Sequence, residues 1–191
     1  MTAHGTAAAA VAEVPPPAGA APSAAREPAA SGSSIVSLDL EFADHVTLVE
    51  SALGGHGVGP LRDLEAGDCA FVVNGVLSSE RTRYSFEVGP ELHVEPYIWG
   101  RFLNHSCEPN CRVRTRADGL LDVVAKVAIA RGTELTVDYA TFESRVGPAG
   151  RGACLCGARR CRQTISGYLD LGPRERLALA ADLADHLRTI G

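Results

Sequence analysis

Arg101-Phe102-Leu103-Asn104-His105-Ser106-Cys107-Glu108-Pro109-Asn110-Cys111 gathers an amide, an imidazole and two thiols in one turn-rich segment, and its reading decides the fold. Asn and Ser bond their own backbone in competition with helix and strand, and Pro109 blocks regular pairing, so an ordered loop dense in polar groups is expected. Such a loop has to be held by chemistry elsewhere in the chain. Cys154-Leu155-Cys156-Gly157-Ala158-Arg159-Arg160-Cys161, a C-x-C-x4-C cluster, supplies a candidate. A tetrahedral zinc site takes four nitrogen or sulfur ligands, and Gly157 permits the tight turn that gathers three. Cys107 is the candidate fourth. The alternative, unrelated reduced thiols on the surface, is the weaker one because exposed thiols oxidise.

The chain has 191 residues, 46% of them hydrophobic, which is enough for one domain with a real core and too few for two. Residues 1–34 are rich in Ala, Pro, Gly and Ser without a hydrophobic period and read as a disordered arm. Glu13 and Pro15-Pro16-Pro17 interrupt the only apolar run there, so no secretory leader is expected, and no later stretch is long and apolar enough to span a bilayer. The expectation is a soluble, intracellular monomer, cytoplasmic, or nuclear in a eukaryote, with no membrane contact. Thiols stay reduced in that compartment, so six cysteines argue for metal binding or burial. A formal charge of -5 gives no footprint for nucleic acid, although Arg145, Arg151, Arg159, Arg160 and Arg162 make a local basic stretch. Lys126 is the single lysine among 18 basic residues, a bias that points to a GC-rich genome.

Short β-rich runs dominate the rest. His45 to Val49 and Cys69 to Val73 flank a turn cluster, Gly54 to Pro60. Arg83 to Val88 alternates as a half-buried strand does, Asp118-Gly119 marks a hairpin between Cys111–Arg116 and Leu120–Ile129, and Glu134 to Tyr139 reads as one more strand. From Pro173 onward, Leu179, Leu183, Leu187 and Ile190 recur at helical spacing and predict a packing helix.

In this order the chain resembles the SET-domain protein lysine methyltransferases: a GxG loop (His56-Gly57-Val58-Gly59), Asn74-Gly75 in place of YxG, an RFxNHSCxPNC loop (Arg101 to Cys111), an ELTxDY strand (Glu134 to Tyr139) and a post-SET segment (Cys154 to Cys161). The likeness covers about Val46 to Arg162. It implies a mainly β, β-clip-like SET fold, several short sheets around a threaded pseudoknot, plus a C-terminal helix. The implied division is a SET domain at 35–142, a post-SET zinc segment at 143–170 and the helix at 171–191. It implies S-adenosylmethionine as methyl donor, held by His56, Gly57, Val58, Gly59, Tyr84, Asn104 and His105, and Zn2+ held by Cys107, Cys154, Cys156 and Cys161. Tyr139 would be catalytic, and the substrate a protein presenting a lysine, histone-like or other.

Each part has a chemical reason. Glycines let backbone amides approach a charged ligand, an amide and an imidazole can bond an adenine, and a tyrosine hydroxyl can orient an amine. The chain also departs from the pattern. The YxG tyrosine falls at Val73, Tyr97 and Trp99 are aromatics available to line a lysine channel or the core, and Val137 stands where some members carry Phe or Tyr. The loss at Val73 supports an alternative, a catalytically silent SET module that binds cofactor, peptide or a protein partner. A third reading, a zinc knuckle for nucleic acid, is opposed by the net acidity. Cys69 is expected as a buried strand residue and Cys111 as a spare thiol near the metal.

Overall fold

In the computed structural model, residues 45–147 and 152–190 are described; the predicted arm at 1–34 lies outside them. The described residues form ten short strands in four small sheets. Strand β1 (Val46–Glu50) pairs antiparallel with β2 (His56–Pro60). The second sheet has the order β3-β9-β8, built from β3 (Cys69–Val73), β8 (Cys111–Thr115) and β9 (Leu121–Ala125). The third has the order β4-β6-β5, from β4 (Gly75–Ser78), β5 (Phe86–Gly89) and β6 (Leu92–Pro96). The fourth is a parallel pair, β7 (Asn104–His105) with β10 (Thr136–Val137).

The expected mainly β architecture of small sheets with few helices is therefore present. The central strand β9 is buried at all five positions, as a strand covered on both faces requires, and its Asp122 is held by Arg114 at 2.6 Å. Phe71, Leu121, Val58, Val73, Val94, Val113, Leu135 and Val137 make the centre of one core. Parallel strands cannot be joined by a tight turn. The 30-residue connection between His105 and Thr136 is filled by the β8–β9 hairpin, which turns at Gly119 with φ 85°.

Four local expectations change. The turn at 54–60 is confined to Gly54 and Gly55, with φ 87° and 76°, and β2 begins at His56. Gly57 and Gly59 stay in the strand because other groups fill their missing side-chain volume: a Cβ on Gly59 would lie 2.7 Å from Val49 Cγ1. The strand expected at Arg83 to Val88 starts only at Phe86, since Thr82 Oγ1 accepts from the N–H groups of Tyr84 and Ser85 and curls the chain. The strand at Glu134 to Tyr139 shrinks to two residues, and Tyr139 opens a 3-10 turn capped by Asp138, whose carboxylate accepts from Ala140 N–H. The C-terminal segment is two helices, α1 (Pro173–Leu179) and α2 (Asp185–Arg188). The break lets Leu183 and Leu187 reach Tyr168 in a second small core, which leaves Ile190 37% exposed.

Gly75, at the Asn-Gly of the degenerate YxG, faces the main chain of β6. A Cβ there would come within 2.6 Å of the Glu95 carbonyl carbon and 2.8 Å of Pro96 Cα, and backbone cannot yield as a side-chain tip does. Gly75→Ala is expected to cost about 3 kcal/mol, the upper end of overpacking, read as a lowered urea midpoint with unchanged slope.

Candidate functional site

The loop at Arg101 to Cys111 divides its side chains between two neighbourhoods. Asn104 Nδ2 donates to Glu134 Oε1 at 2.6 Å, to the His56 carbonyl at 3.2 Å and to Ser51 Oγ at 3.4 Å, tying β7 to β2. A Cβ on Gly57 would lie 2.8 Å from Glu134 Cδ, so this glycine makes room for the carboxylate that Asn104 holds. Ser51 carries no sequence signal and Glu134 entered only as the first residue of the ELTxDY strand; the tertiary contact reveals their part in the site.

The other neighbourhood is a thiol cluster. The Sγ atoms of Cys107, Cys154, Cys156 and Cys161 all lie within 4.8 Å of one another. Cys107 and Cys154 are 3.8 Å apart, and a tetrahedral zinc with Zn–S bonds of about 2.3 Å spaces its sulfurs by about 3.8 Å. Main-chain N–H groups point at these sulfurs, as thiolate ligands require: Cys107 to Cys156 at 3.5 Å, Arg162 to Cys107 at 3.4 Å and Gln163 to Cys161 at 3.3 Å. Burial pulls the Cys156 thiol up, but the N–H groups of Cys107 and Ala158 and the neighbouring thiols outweigh it and bring it down to about 6. Gly157, with φ 69°, makes the turn between the second and third ligands of the late segment. The residues present fit one tetrahedral metal ion. Cys111 is outside the cluster, fully buried in the main core, with its thiol pushed up to about 12 by that burial. Cys69 is half-buried rather than buried, and its thiol is pushed up to about 11 by desolvation.

His105 joins this cluster to the turn at Tyr139. Its ring is 4% exposed; Nδ1 accepts from Tyr139 N–H at 3.2 Å, so the proton sits on Nε2, 3.4 Å from Cys107 Sγ. Both ring nitrogens are thus used inside the protein, and the imidazole itself has none left for an adenine. Burial lowers the ring's pKa to about 4. Beside it, Arg162 clamps Asp138 in a two-bond fork at 2.7 and 2.6 Å, with the Asp138 side chain fully buried. Arg162→Met strands that carboxylate and is expected to cost about 3–5 kcal/mol in denaturant unfolding, and Arg162→Lys recovers only part because it lacks the planar fork.

A cavity of about 360 Å³ opens on the other side of Tyr139, walled by Tyr84, Phe86, Leu103, Tyr139, Phe142 and Glu143. Of the predicted site residues only Tyr84 and Tyr139 line it. Tyr84 is 38% exposed, with the Arg101 guanidinium 4.4 Å over its ring. Tyr139 O–H donates to the Leu103 carbonyl at 2.9 Å, and burial raises its pKa to about 12, so it stays neutral. Phe142 stacks on Phe86 with centroids 4.9 Å apart and meets Tyr139 edge-on. Trp99 packs against the main core and Tyr97 is 44% exposed; neither is a cavity wall residue. Val73, at the YxG position, is fully buried in β3. Phe142 and Glu143 stand three and four positions after Tyr139, so nearness to the motif was the signal that could have found them.

The local basic stretch is largely spent on ion pairs. Arg162 holds Asp138, Arg160 holds Glu108 at 2.9 Å, and Arg145 holds Asp170 at 3.0 Å. Among the described residues, no helix is long and apolar enough to cross a membrane.

Comparison with known proteins agrees with this geometry. The family model described as SET domain matches residues 55–140. Trithorax of Drosophila virilis, a histone-lysine N-methyltransferase, is 31% identical over 147 residues, 65% of this chain and 4% of that protein. A histone-lysine N-methyltransferase of Neurospora crassa, H3 lysine-4 specific, is 40% identical over 104 residues, 51% of this chain and 8% of that protein. The chain therefore spans a small fraction of these relatives. A crystal structure of KRYPTONITE in complex with mCHH DNA, H3(1-15) peptide and SAH has a TM-score of 0.52 at 31% identity, covering 63% of this chain and 29% of that one. A second KRYPTONITE structure, with mCHG DNA and SAH, gives 0.53 at 28% identity, covering 63% of this chain and 28% of that one. The family-model match over residues 55–140, which spans the β7–β10 clasp and the Tyr139 turn, places a SET domain in this chain.

Proposed function

We propose that this chain transfers methyl groups from S-adenosylmethionine to a lysine side chain of a protein. The observation that carries the reading is the Tyr139 hydroxyl, neutral and fixed on the Leu103 carbonyl, at the wall of an aromatic cavity. The related KRYPTONITE structures contain SAH, and one contains an H3 peptide, which supports the cofactor and a histone-like substrate. When bound, the cofactor supplies an electrophilic methyl group on a sulfonium. The chain's own task is to deliver a neutral amine to it. At pH 7, deprotonating a lysine of pKa about 10.4 costs about 4.6 kcal/mol, which desolvation among Phe86, Phe142 and Tyr139 reduces. Tyr139 O–H is committed to Leu103, so its lone pairs are the groups that can accept an amine N–H and aim the nitrogen.

In this reading Tyr139 is catalytic. Tyr84 contributes its ring to the cofactor pocket, and His56, Gly57, Val58, Gly59, Asn104 and His105 act through their main chain and through the Asn104–Glu134 tie. Cys107, Cys154, Cys156 and Cys161 hold Zn2+ as a structural ion, with the SET domain, post-SET segment and C-terminal helices as the working parts at 35–142, 143–170 and 171–191. The protein works as a soluble intracellular monomer, in the nucleus if its host is a eukaryote, on a protein and not on nucleic acid or membrane.

The test is transfer of labelled methyl from S-adenosylmethionine to histone H3 and to a cell extract, with acid hydrolysis to identify methyl-lysine. Labelled lysine supports the proposal. The buried Val73, which brings no hydroxyl to the YxG position, favours the second reading, a silent binding module. SAH binding without label on any lysine would select it.

A further inference from the structure

Glu143 lines the cavity, and Glu87, outside its wall, is the second carboxylate of one buried cluster. Glu87 and Glu143 are 4% and 6% exposed, and both turn to one guanidinium: Arg81 lies 2.8 Å from Glu87 Oε2 and 3.4 Å from Glu143 Oε2. Glu87 Oε2 also accepts from Ser144 N–H at 2.9 Å and Ser144 O–H at 2.7 Å. Glu143 Oε1 accepts one further bond, from Glu87 N–H at 2.8 Å. Two carboxylates against one guanidinium leave one negative charge, or one proton, in excess, and the less fully bonded Glu143 is where it resides.

Among the described residues no second guanidinium pairs with either carboxylate. Arg83 and Arg101 lie over the Tyr84 ring at 5.6 and 4.4 Å, and Arg101 also pairs with Glu95. Burial lowers the pKa of both His93 and His186, the imidazoles nearest Glu87, so each is neutral at pH 7. Arg145 is engaged with Asp170, and Tyr139 is neutral. Glu143 shares the cavity wall with Tyr139, so an ammonium that enters the cavity meets a carboxyl without an arginine of its own.

We propose that Glu143 is a catalytic residue, the acceptor of the proton that the substrate's lysine ammonium must lose. The step balances: an N–H bond of the ammonium breaks, an O–H bond forms on Glu143, and the freed lone pair on nitrogen attacks the methyl carbon. The acid then returns its proton to water at the mouth of the cavity. Burial first, and repulsion by Glu87 after it, push the Glu143 carboxyl up to about 8, against the pull of Glu87 N–H and Arg81. A base poised near the working pH is matched to this task. The role rests on the lysine methyltransferase reading above.

The test is Glu143→Gln, which keeps an oxygen for Glu87 N–H and removes the base. Rates of labelled methyl transfer to cell-extract lysines are compared at pH 7 and pH 9.5, with SAH binding measured as a check on folding. The expected result is a loss of about 100-fold at pH 7. That loss narrows at least tenfold by pH 9.5, because bulk water then supplies about 300 times more neutral amine to a lysine of pKa about 10.4. A pH-independent loss, or none, with SAH still bound, overturns the role of Glu143 and leaves the lysine methyltransferase reading standing. A wild-type protein that binds SAH and labels no lysine at either pH overturns both. Thermal melts give a readout that does not depend on activity. The folded chain keeps a proton between the ordinary carboxyl value of 4.5 and about 8 that the unfolded chain has lost, so this group's contribution to stability falls as pH rises through that window. Glu143→Gln should flatten the fall, and an unchanged slope counts against a protonatable Glu143.

Discussion

Tyr139→Phe is expected to lower the proposed methyl-transfer turnover by about 100- to 1,000-fold while the affinity for SAH stays within about twofold. The ring of Tyr139 is held by its contacts with His105 and Phe142, 5.2 and 5.8 Å between centroids, so phenylalanine preserves the cavity wall. What disappears is one hydroxyl whose direction is fixed by the Leu103 carbonyl. A group that only orients the amine acts on the reacting geometry and contributes little to binding of the product cofactor, so the change falls on kcat. The Leu103 carbonyl loses its partner as well, and a stability loss of about 1–3 kcal/mol should accompany the kinetic effect. Equal losses in SAH affinity and turnover would instead assign Tyr139 to packing. Because burial keeps its pKa near 12, activity should show no titration of this hydroxyl below pH 10.

Cys107→Ala should abolish metal binding and, through it, cofactor binding, although Cys107 lines no part of the cavity. The late segment from Gly152 to Gln163 has little else to hold it: Leu155 is 73% exposed, and apart from the thiol cluster the segment is attached by the Arg160–Glu108 and Arg162–Asp138 pairs and by Arg159 N–H donating to Glu108, while the bridge from Ala153 to Thr164 is local. Structural zinc supplies on the order of 10 kcal/mol at such sites, more than those contacts together can replace. Metal analysis should fall from about one zinc per chain to none, and limited proteolysis should cut within the segment. The loss reaches the cavity by a short route: Cys107 Sγ, His105 Nε2, His105 Nδ1, then Tyr139 N–H. Cys111→Ala serves as the control, since that thiol is equally close in sequence but belongs to the core, and it should keep the metal while losing stability. Zinc retained by Cys107→Ala would break the proposed link between the two sites.

Much of the site could be read from residue types and spacing. The four thiols that the fold gathers were readable together because the C-x-C-x4-C spacing brings three into one turn and a tetrahedral site takes four nitrogen or sulfur ligands. The β8–β9 hairpin followed from Asp118-Gly119, whose turn needs a positive φ. The element ends were less legible. Thr82 curled a predicted strand away through its hydroxyl, and Gly57 and Gly59 entered a strand because Glu134 and Val49 fill the space that their missing side chains leave.

By itself the sequence determined the order of the motifs and picked out the four cysteines that the fold gathers, because each depends on local chemistry that a residue carries wherever it goes. Tertiary structure alone decided which groups face each other. It turned the His105 ring inward to join the thiol cluster and Tyr139, gave Asn104 to Glu134, and paired Asp138 with Arg162 across 24 positions of chain. It also set Glu143 beside Glu87 with a single arginine between them. Burial makes such contacts matter: out of water an unmatched charge or orphaned nitrogen is costly, and only the folded chain reveals which groups were brought together to avoid that cost.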